Sequence, residues 1–352
     1  MVLLVVSCGG PADVGSSPDA SSLLDGSADS PTADSALADA SIPDPPVYAP
    51  NCSGVADSCG PTSNDDCCES PLISGGTFYR THDAATDMRF PSTSWPATLS
   101  DYRLDKYEVT VGRFRQFVLA GMGTQSHPPA VDDGAHPNLP GSGWQASWNS
   151  ELPANTAALI AGVTCTTNFH TWTDVPGPNE NRPMNCVTSY EAAAFCAWDG
   201  GFLPTDAEWN YAAVGGAEQR AYAWSSPAGA VDIDASRASY WLDDTKRCFG
   251  DGIDGCAFSD ILVVGTKPAG DARWGQSDLM GNVWEWTLDW WYSETEYQVP
   301  CDDCANLNRS FYRVWRGGGF NDPARYLRSA NRGYLAPGAR LPTLGFRCAR
   351  VP

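Results

Sequence analysis

Residues 185–216 read NCVTSYEAAAFCAWDGGFLPTDAEWNYAAVGG. Two helix starts fall inside this stretch. Thr188 and Glu191, then Thr205 and Glu208, stand in capping-box spacing, in which hydroxyl and carboxylate reciprocally satisfy free backbone N–H groups. The spacing predicts short helices over roughly 189–199 and 206–214, with Phe195, Trp198, Trp209 and Tyr211 turned inward. Upstream, DYRLDKYEVTV (101–111) reads as strand, followed by an amphipathic helix carrying Phe114, Phe117 and Val118 on one face. There is no internal repeat and no βαβ alternation, which argues against a doubly wound parallel sheet. The expected fold class is α+β with little regular structure.

The chain of 352 residues holds 34 Gly, 27 Pro and 14 Trp, the composition of a loop-rich globule pinned by buried aromatics. Its net charge of −20 argues against nucleic acid, because phosphate neutralisation needs clustered basic residues. Residues 1–79 carry eleven acidic groups and no Lys or Arg, so the remainder is only about −9. Thirteen cysteines point to an oxidising compartment.

The organisation follows from composition. VVSCGG (5–10) matches a lipobox and makes Cys8 the expected lipidation site. The apolar stretch before it is short and lacks a basic region, so residues 1–8 read as a truncated lipoprotein signal whose true start lies upstream. Residues 9–47, rich in Asp, Ser, Ala and Pro and without an aromatic before Tyr48, are expected to form a disordered tether. Residues 48–76 hold Cys52, Cys59, Cys67 and Cys68 as a stapled lead-in, and 77–352 form the globular domain. Within it, 121–182 reads as an elaborated surface loop with Cys165 bonded. Without Cys8, twelve cysteines remain, consistent with up to six disulfides. This describes an exported protein of the bacterial cell envelope, joined to the membrane through a lipid at Cys8.

Five motifs occur in order: DKYEVTVGRFRQFV (105–118), residues 185–216, DLMGNVWEWTLDWW (278–291), RVWRGGGF (313–320) and LGFRCAR (344–350). Together they resemble the formylglycine-generating enzyme, or sulfatase-modifying factor, domain. The resemblance implies a C-type-lectin-like α+β fold with small antiparallel sheets and few helices. It also implies a disulfide between Cys196 and Cys348. A second bridge of the copper enzymes maps to Ala213 and about Ser329, where both halves are missing together.

Enzymes of this family oxidise a sulfatase cysteine with O₂ and a copper(I) held by two thiolates, which suit a soft ion. The matching positions here are Asp322 and Leu327, or Gly319 and Ala324 under a shifted alignment, and no cysteine lies between Cys304 and Cys348. No copper is therefore expected, and no catalytic residue is assigned. Cys301 and Cys304 have CxxC spacing, read as a loop disulfide, with a redox or metal role as the alternative. Cys248 and Cys256 read the same way. The four histidines show no metal-ligand spacing, which removes the iron-dependent sulfoxide-synthase branch of the superfamily.

Calcium is the expected cofactor. The family binds a structural Ca²⁺ around the GNVWEW turn, and the matching ligands are Asp278, Gly281, Val283 and Glu285, hard oxygen donors that suit it. The alternative is that the two acids merely cap the turn. Trp284, Trp286, Trp290 and Trp291 read as core rather than as a stacking platform. Arg316, Arg325, Arg328, Arg332 and Arg347 lie where the family keeps its cleft and are expected to pair with carboxylates. Trp284, Arg316, Gly319, Asp322 and Arg325 are the expected cleft residues. The functional expectation is a cell-envelope module that binds a protein, peptide or glycan. The alternative is a divergent oxidoreductase acting on a protein cysteine or another substrate.

Overall fold

Both capped helices form where the spacing placed them. The Thr188 hydroxyl accepts the Glu191 N–H at 3.1 Å, and Glu191 takes the Thr188 N–H at 3.0 Å. At the second start, Thr205 and Glu208 exchange the same bonds at 3.0 and 2.8 Å. Gly215 ends the second helix in the left-handed region at φ 68°, a conformation that glycine adopts without a Cβ clash.

The structure is a computed structural model that describes residues 52, 58–83, 93–242, 247–293, 297 and 299–352. Cys8 and the tether 9–47 lie outside the described residues. In chain order the elements are β1 (Leu72–Ile73), β2 (Gly76–Tyr79), β3 (Pro96–Leu99), β4 (Tyr102–Leu104), α1 (Val111–Leu119), α2 (Thr156–Val163), α3 (Ser189–Trp198) and α4 (Asp206–Val214). There follow β5 (Trp241–Leu242), β6 (Arg247–Cys248), β7 (Trp284–Trp290), β8 (Arg313–Arg316), β9 (Gly333–Leu335), β10 (Leu344–Gly345) and β11 (Ala349–Arg350). The central sheet runs β10-β7-β8-β9, with β10 parallel to β7 and the other pairs antiparallel. A three-stranded sheet, β1-β4-β11, ties the start of the domain to its end. The fold is α+β and loop-rich. No helix among the described residues is long and apolar enough to cross a membrane.

Helices α3 and α4 are buried nearly all round, so their sequences carry little amphipathic periodicity. One apolar cluster gathers Phe114, Phe117, Phe195, Trp286 and Phe346 between α1, α3 and β7. A second packs Phe78, Tyr102, Trp209 and Tyr211 around α4. The tryptophans of β7 are core: Trp284, Trp286 and Trp290 are all buried.

Three expectations are corrected. Residues 121–182 are not a surface loop. They contain a 3₁₀ turn (Ala146–Glu151) and α2, capped by Asn155, and they bury Trp144, Trp148, Leu159 and Trp172 in the main core. Trp144 and Trp148 pack on each other and Trp172 on Phe114, too few and too scattered aromatics to leave a period to read. The strand expected over 101–111 shrinks to β4, because buried acids interrupt the ladder beyond it. Asp105 takes Arg113 at 2.9 Å, and Glu108 takes the Asn282 amide at 2.7 Å. The lead-in 48–76 does not stand apart from the domain, since its Leu72 and Ile73 pair with Arg103 and Tyr102.

Twelve cysteines form six disulfides: 52–68, 59–67, 165–186, 196–348, 248–256 and 301–304. The Cys196–Cys348 bridge joins α3 to the C-terminal segment across 152 residues. At the positions of the family's second bridge, the Ser329 hydroxyl donates to the Ala213 carbonyl at 3.2 Å, so a hydrogen bond stands in its place. Replacing Cys196 and Cys348 together by serine is expected to cost on the order of 2–5 kcal/mol in denaturant unfolding. Peptide mapping without reduction should recover the two cysteines in one fragment; both found alkylated would contradict the pairing.

Candidate functional site

Strand β8 ends at Arg316 and runs into a tight turn. Gly317 and Gly318 have φ of 104° and 79°, and a Cβ on Gly318 would meet Leu327 Cδ1 at 2.6 Å. Only glycine fits a turn that is both left-handed and this closely packed. The turn lays Gly319–Asp322 beside Trp284. The Trp284 indole N–H donates to Asp322 Oδ2 at 2.6 Å, and the Gly319 amide donates to the same oxygen at 3.0 Å. Trp284 in turn stacks on Trp315, with ring centroids 4.9 Å apart. Burial pushes the Asp322 carboxyl above its ordinary range, against the pull of those two donors and of Arg325.

Trp284, Gly319 and Asp322 are therefore brought together. Leu327 is fully buried against the glycine turn, and Ala324 opens the 3₁₀ turn Ala324–Leu327. Each cysteine among the described residues is held in a disulfide.

The other cleft arginines go elsewhere. The Arg325 guanidinium lies over the Tyr326 ring at 4.9 Å. Arg316 points away from the turn into the interior. There Nε donates to Asp206 Oδ1 at 2.5 Å, and Nη1 caps the carbonyls of Ser329 and Asn331 at 3.2 and 3.1 Å. Arg332 reaches the same carboxylate at 3.4 Å, and Arg328 binds Asp83 at 2.7 Å. The arginines concentrated after residue 313 thus join α4, the segment around Thr81–Asp83 and the loop following the glycine turn.

The turn at 278–285 holds two of the expected calcium ligands, Asp278 and Glu285, both buried. Asp278 adopts a left-handed φ of 58°, accepts the Gly265 N–H at 2.5 Å and is pushed up to about 6 by burial. Glu285 is fully buried. Arg347 grips both its oxygens at 2.7 and 2.8 Å, and the Trp209 indole donates at 2.8 Å. Glu108 is also fully buried, and desolvation and then the charges of Asp278 and Glu285 drive its carboxyl well above the ordinary range. These three carboxylates face Arg347 and, farther off, Lys267, whose ammonium bonds the Gly250 carbonyl at 3.2 Å. Asp278 and Glu285 are hard oxygen donors of the kind a divalent cation takes, but Glu285 is held by Arg347 and Trp209, and the ligand atoms of the three carboxylates do not gather within 4.8 Å of one another.

A different cluster has metal-like proximity. Asp105, Asp199 and Cys348 place ligand atoms within 4.8 Å of one another. Arg113 and Arg350 occupy both carboxylates, and Cys348 is disulfide-bonded, so this is an ion-pair network rather than a metal site.

Two residues of chemical interest were not singled out from the sequence. Trp148 lies in the stretch read as loop, and Arg313 was one arginine among many. Arg313 is buried with its guanidinium carbon 4.0 Å from the Trp290 ring centroid and 5.1 Å from that of Trp148. Nothing in the local sequence distinguishes it from its paired neighbours.

The family described as Sulfatase-modifying factor enzyme 1-like domain matches residues 56–352. Over 193 residues the chain is 32% identical to the formylglycine-generating enzyme of Mus musculus, covering 51% of this chain and 48% of that protein. It thus spans about half the length of the mouse relative. The formylglycine-generating enzyme of Thermomonospora curvata is 28% identical over 277 residues, covering 72% of this chain and 83% of its own. Among solved structures, PvdO from Pseudomonas aeruginosa superposes with a TM-score of 0.55 at 21% identity, over 81% of this chain and 94% of that one. That likeness establishes the fold.

Burial pushes the Asp206 carboxyl up, but Arg316 and Arg332 outweigh burial and hold it below its ordinary value. Its contribution to stability is thus present above the unfolded-state pKa of about 4 and is lost as pH falls through the lowered folded value. Arg316→Met should cost about 3–5 kcal/mol at pH 7 by urea unfolding, because it strips a buried carboxylate of its main partner. The gap to the native protein should narrow below about pH 4, as Asp206 protonates. An unchanged midpoint at pH 7 would contradict the network.

Proposed function

The chain belongs to the Sulfatase-modifying factor enzyme 1-like domain family, and from that premise we propose that it is an exported lipoprotein whose domain binds a ligand instead of oxidising one with copper. One observation carries this reading. Beyond the Arg316-Gly317-Gly318 turn, Asp322 is tied to an indole and an amide, and Leu327 fills the space beside the glycines. A carboxylate held by two donors and an aliphatic side chain are poor substitutes for two thiolates toward a soft ion. The remaining sulfurs of the described residues are oxidised in disulfides and offer no thiolate either. The half-buried Asp322 instead places a hydrogen-bonding acid at the turn, a group that suits a peptide, protein or glycan.

Calcium belongs to the same proposal as a structural ion. Asp278, the carbonyls of Gly281 and Val283, and Glu285 would hold it, and its charge would offset the buried acids Glu108, Asp278 and Glu285. Cys8 would supply the membrane anchor through a lipid.

The second reading, an oxidoreductase using other ligands, has one observation in its favour. The Cys301–Cys304 disulfide lies next to a cation, with Arg80 Nη1 3.2 Å from Cys304 Sγ.

Anaerobic titration with Cu(I) should show no tight stoichiometric uptake, and a sulfatase C-x-P-x-R peptide should yield no aldehyde by mass spectrometry. Aldehyde formation that disappears in Cys301→Ser would establish the second reading instead. Chelation should lower the melting temperature and added Ca²⁺ should restore it. Asp278→Ala should abolish that response; a melting temperature indifferent to Ca²⁺ in the native protein would remove the ion from the proposal.

A further inference from the structure

Among the buried arginines, Arg113, Arg316, Arg328, Arg347 and Arg350 pair with Asp105, Asp206, Asp83, Glu285 and Asp199 respectively. Arg313, like Arg103, which bonds the Ser70 carbonyl, does not. It stands on β8 opposite Trp290 of β7 and is 4% exposed. One N–H of Nη1 bonds the Leu288 carbonyl, while Nε has no partner. No described carboxylate forms an ion pair with it. Burial pulls its guanidinium down to about 10, against the partial support of Tyr190 and Asp289. Asp289 does not face Arg313 as an acceptor, because its two oxygens take the backbone N–H groups of Asp206 and Asn306, each at 2.7 Å.

A cation desolvated without a counter-ion is costly unless an anion reaches it. Here there is room for one. Arg313 lines a cavity of about 220 Å³ whose apolar walls are Trp148, Trp290, Leu288 and Leu307, and whose rim carries a second cation, Arg309. No acidic residue lines it. The volume falls below the roughly 300–1,000 Å³ typical of clefts for drug-sized ligands, which sets an upper limit on the occupant. Trp290 lies six residues along β7 from Trp284, about 20 Å at ~3.3 Å per residue, so this cavity is separate from the Trp284–Asp322 pair.

We propose that this cavity is a binding site for a small carboxylate with an aromatic or branched apolar body. Arg313 receives the carboxylate at its terminal Nη groups, Nε being sealed inside, and their N–H donors match two carboxylate oxygens. The apolar body lies among Trp148, Leu288 and Leu307, and Arg309 raises the local concentration of anions at the mouth. The same chemistry could arrive as a free acid or as the C-terminal residue of a peptide. The site does not depend on the absence of copper, so it goes beyond the reading given above.

Isothermal titration of the native protein with phenylacetate, N-acetylphenylalanine and the neutral isostere phenylacetamide separates these cases. Phenylacetate should bind with one-to-one saturation, at least tenfold tighter than phenylacetamide. Binding of N-acetylphenylalanine as well assigns the site to a peptide end, and its failure assigns it to a free acid. Arg313→Met should lose at least tenfold in phenylacetate affinity without a fall in melting temperature, since it removes an unpaired buried charge. Leu307→Trp, which leaves Arg313 in place and fills the cavity, should also abolish binding and covers the case in which Arg313→Met does not fold. Equal affinity for acid and amide, no binding of either acid, or undiminished binding in a folded variant would overturn the proposal. Copper uptake and aldehyde formation are read separately, so failure here and failure of the oxidase-free reading are distinguishable.

Discussion

Arg347 engages all five of its N–H donors inside the protein. Nε and one N–H of Nη2 grip Glu285, the other N–H of Nη2 caps the Ser277 carbonyl, and Nη1 caps the carbonyls of Asp105 and Lys106. Both members of the pair are fully buried, and Trp209 completes the Glu285 shell. Four chain segments, from the 105–106 stretch to the C-terminal motif, are thereby held at one point. A fold built from strands of two to seven residues has few ladder bonds to do this work. Taking two charges out of water costs several kcal/mol per ion, so such a pair is retained less for net stability than because losing either half strands the other.

The same logic repeats through the interior. Arg113 and Arg350 share Asp105 and Asp199, and Arg316 and Arg332 share Asp206. Six disulfides add covalent closure, five within spans of 3 to 21 residues and one across 152. Long irregular segments can be ordered in this way, because each is pinned by one polar hub or one buried indole rather than by a periodic face. Trp144, Trp148 and Trp172 serve that purpose within 121–182.

A family of oxidases needs two free thiolates in the glycine turn, and this chain has an acid and a leucine there. The surrounding scaffold persists: the glycines, the Trp284–Trp315 stack and the Arg347 hub. Fold alone assigns no activity. What differs is the chemistry of a few atoms after the turn, and at the far end of β7 stands an arginine whose charge no described carboxylate answers.

The sequence by itself determined what depends on residues close in the chain. The capping boxes at Thr188 and Thr205 act over three residues, so both helix starts were legible. So was the absence of any cysteine between Cys304 and Cys348, since it is a matter of composition. The family motifs then carried the α+β class and the Cys196–Cys348 bridge. Asp278 and Glu285 could be named from the turn, but that Glu108, some 170 residues earlier in the chain, lies beside it emerged only from the structure. Tertiary structure alone decided the fate of the arginines. Arg316 meets an acid 110 residues away, whereas Arg313, three positions earlier on the same strand, meets none. Pairing and burial are set by which distant segments come together, and short-range periodicity holds no record of that.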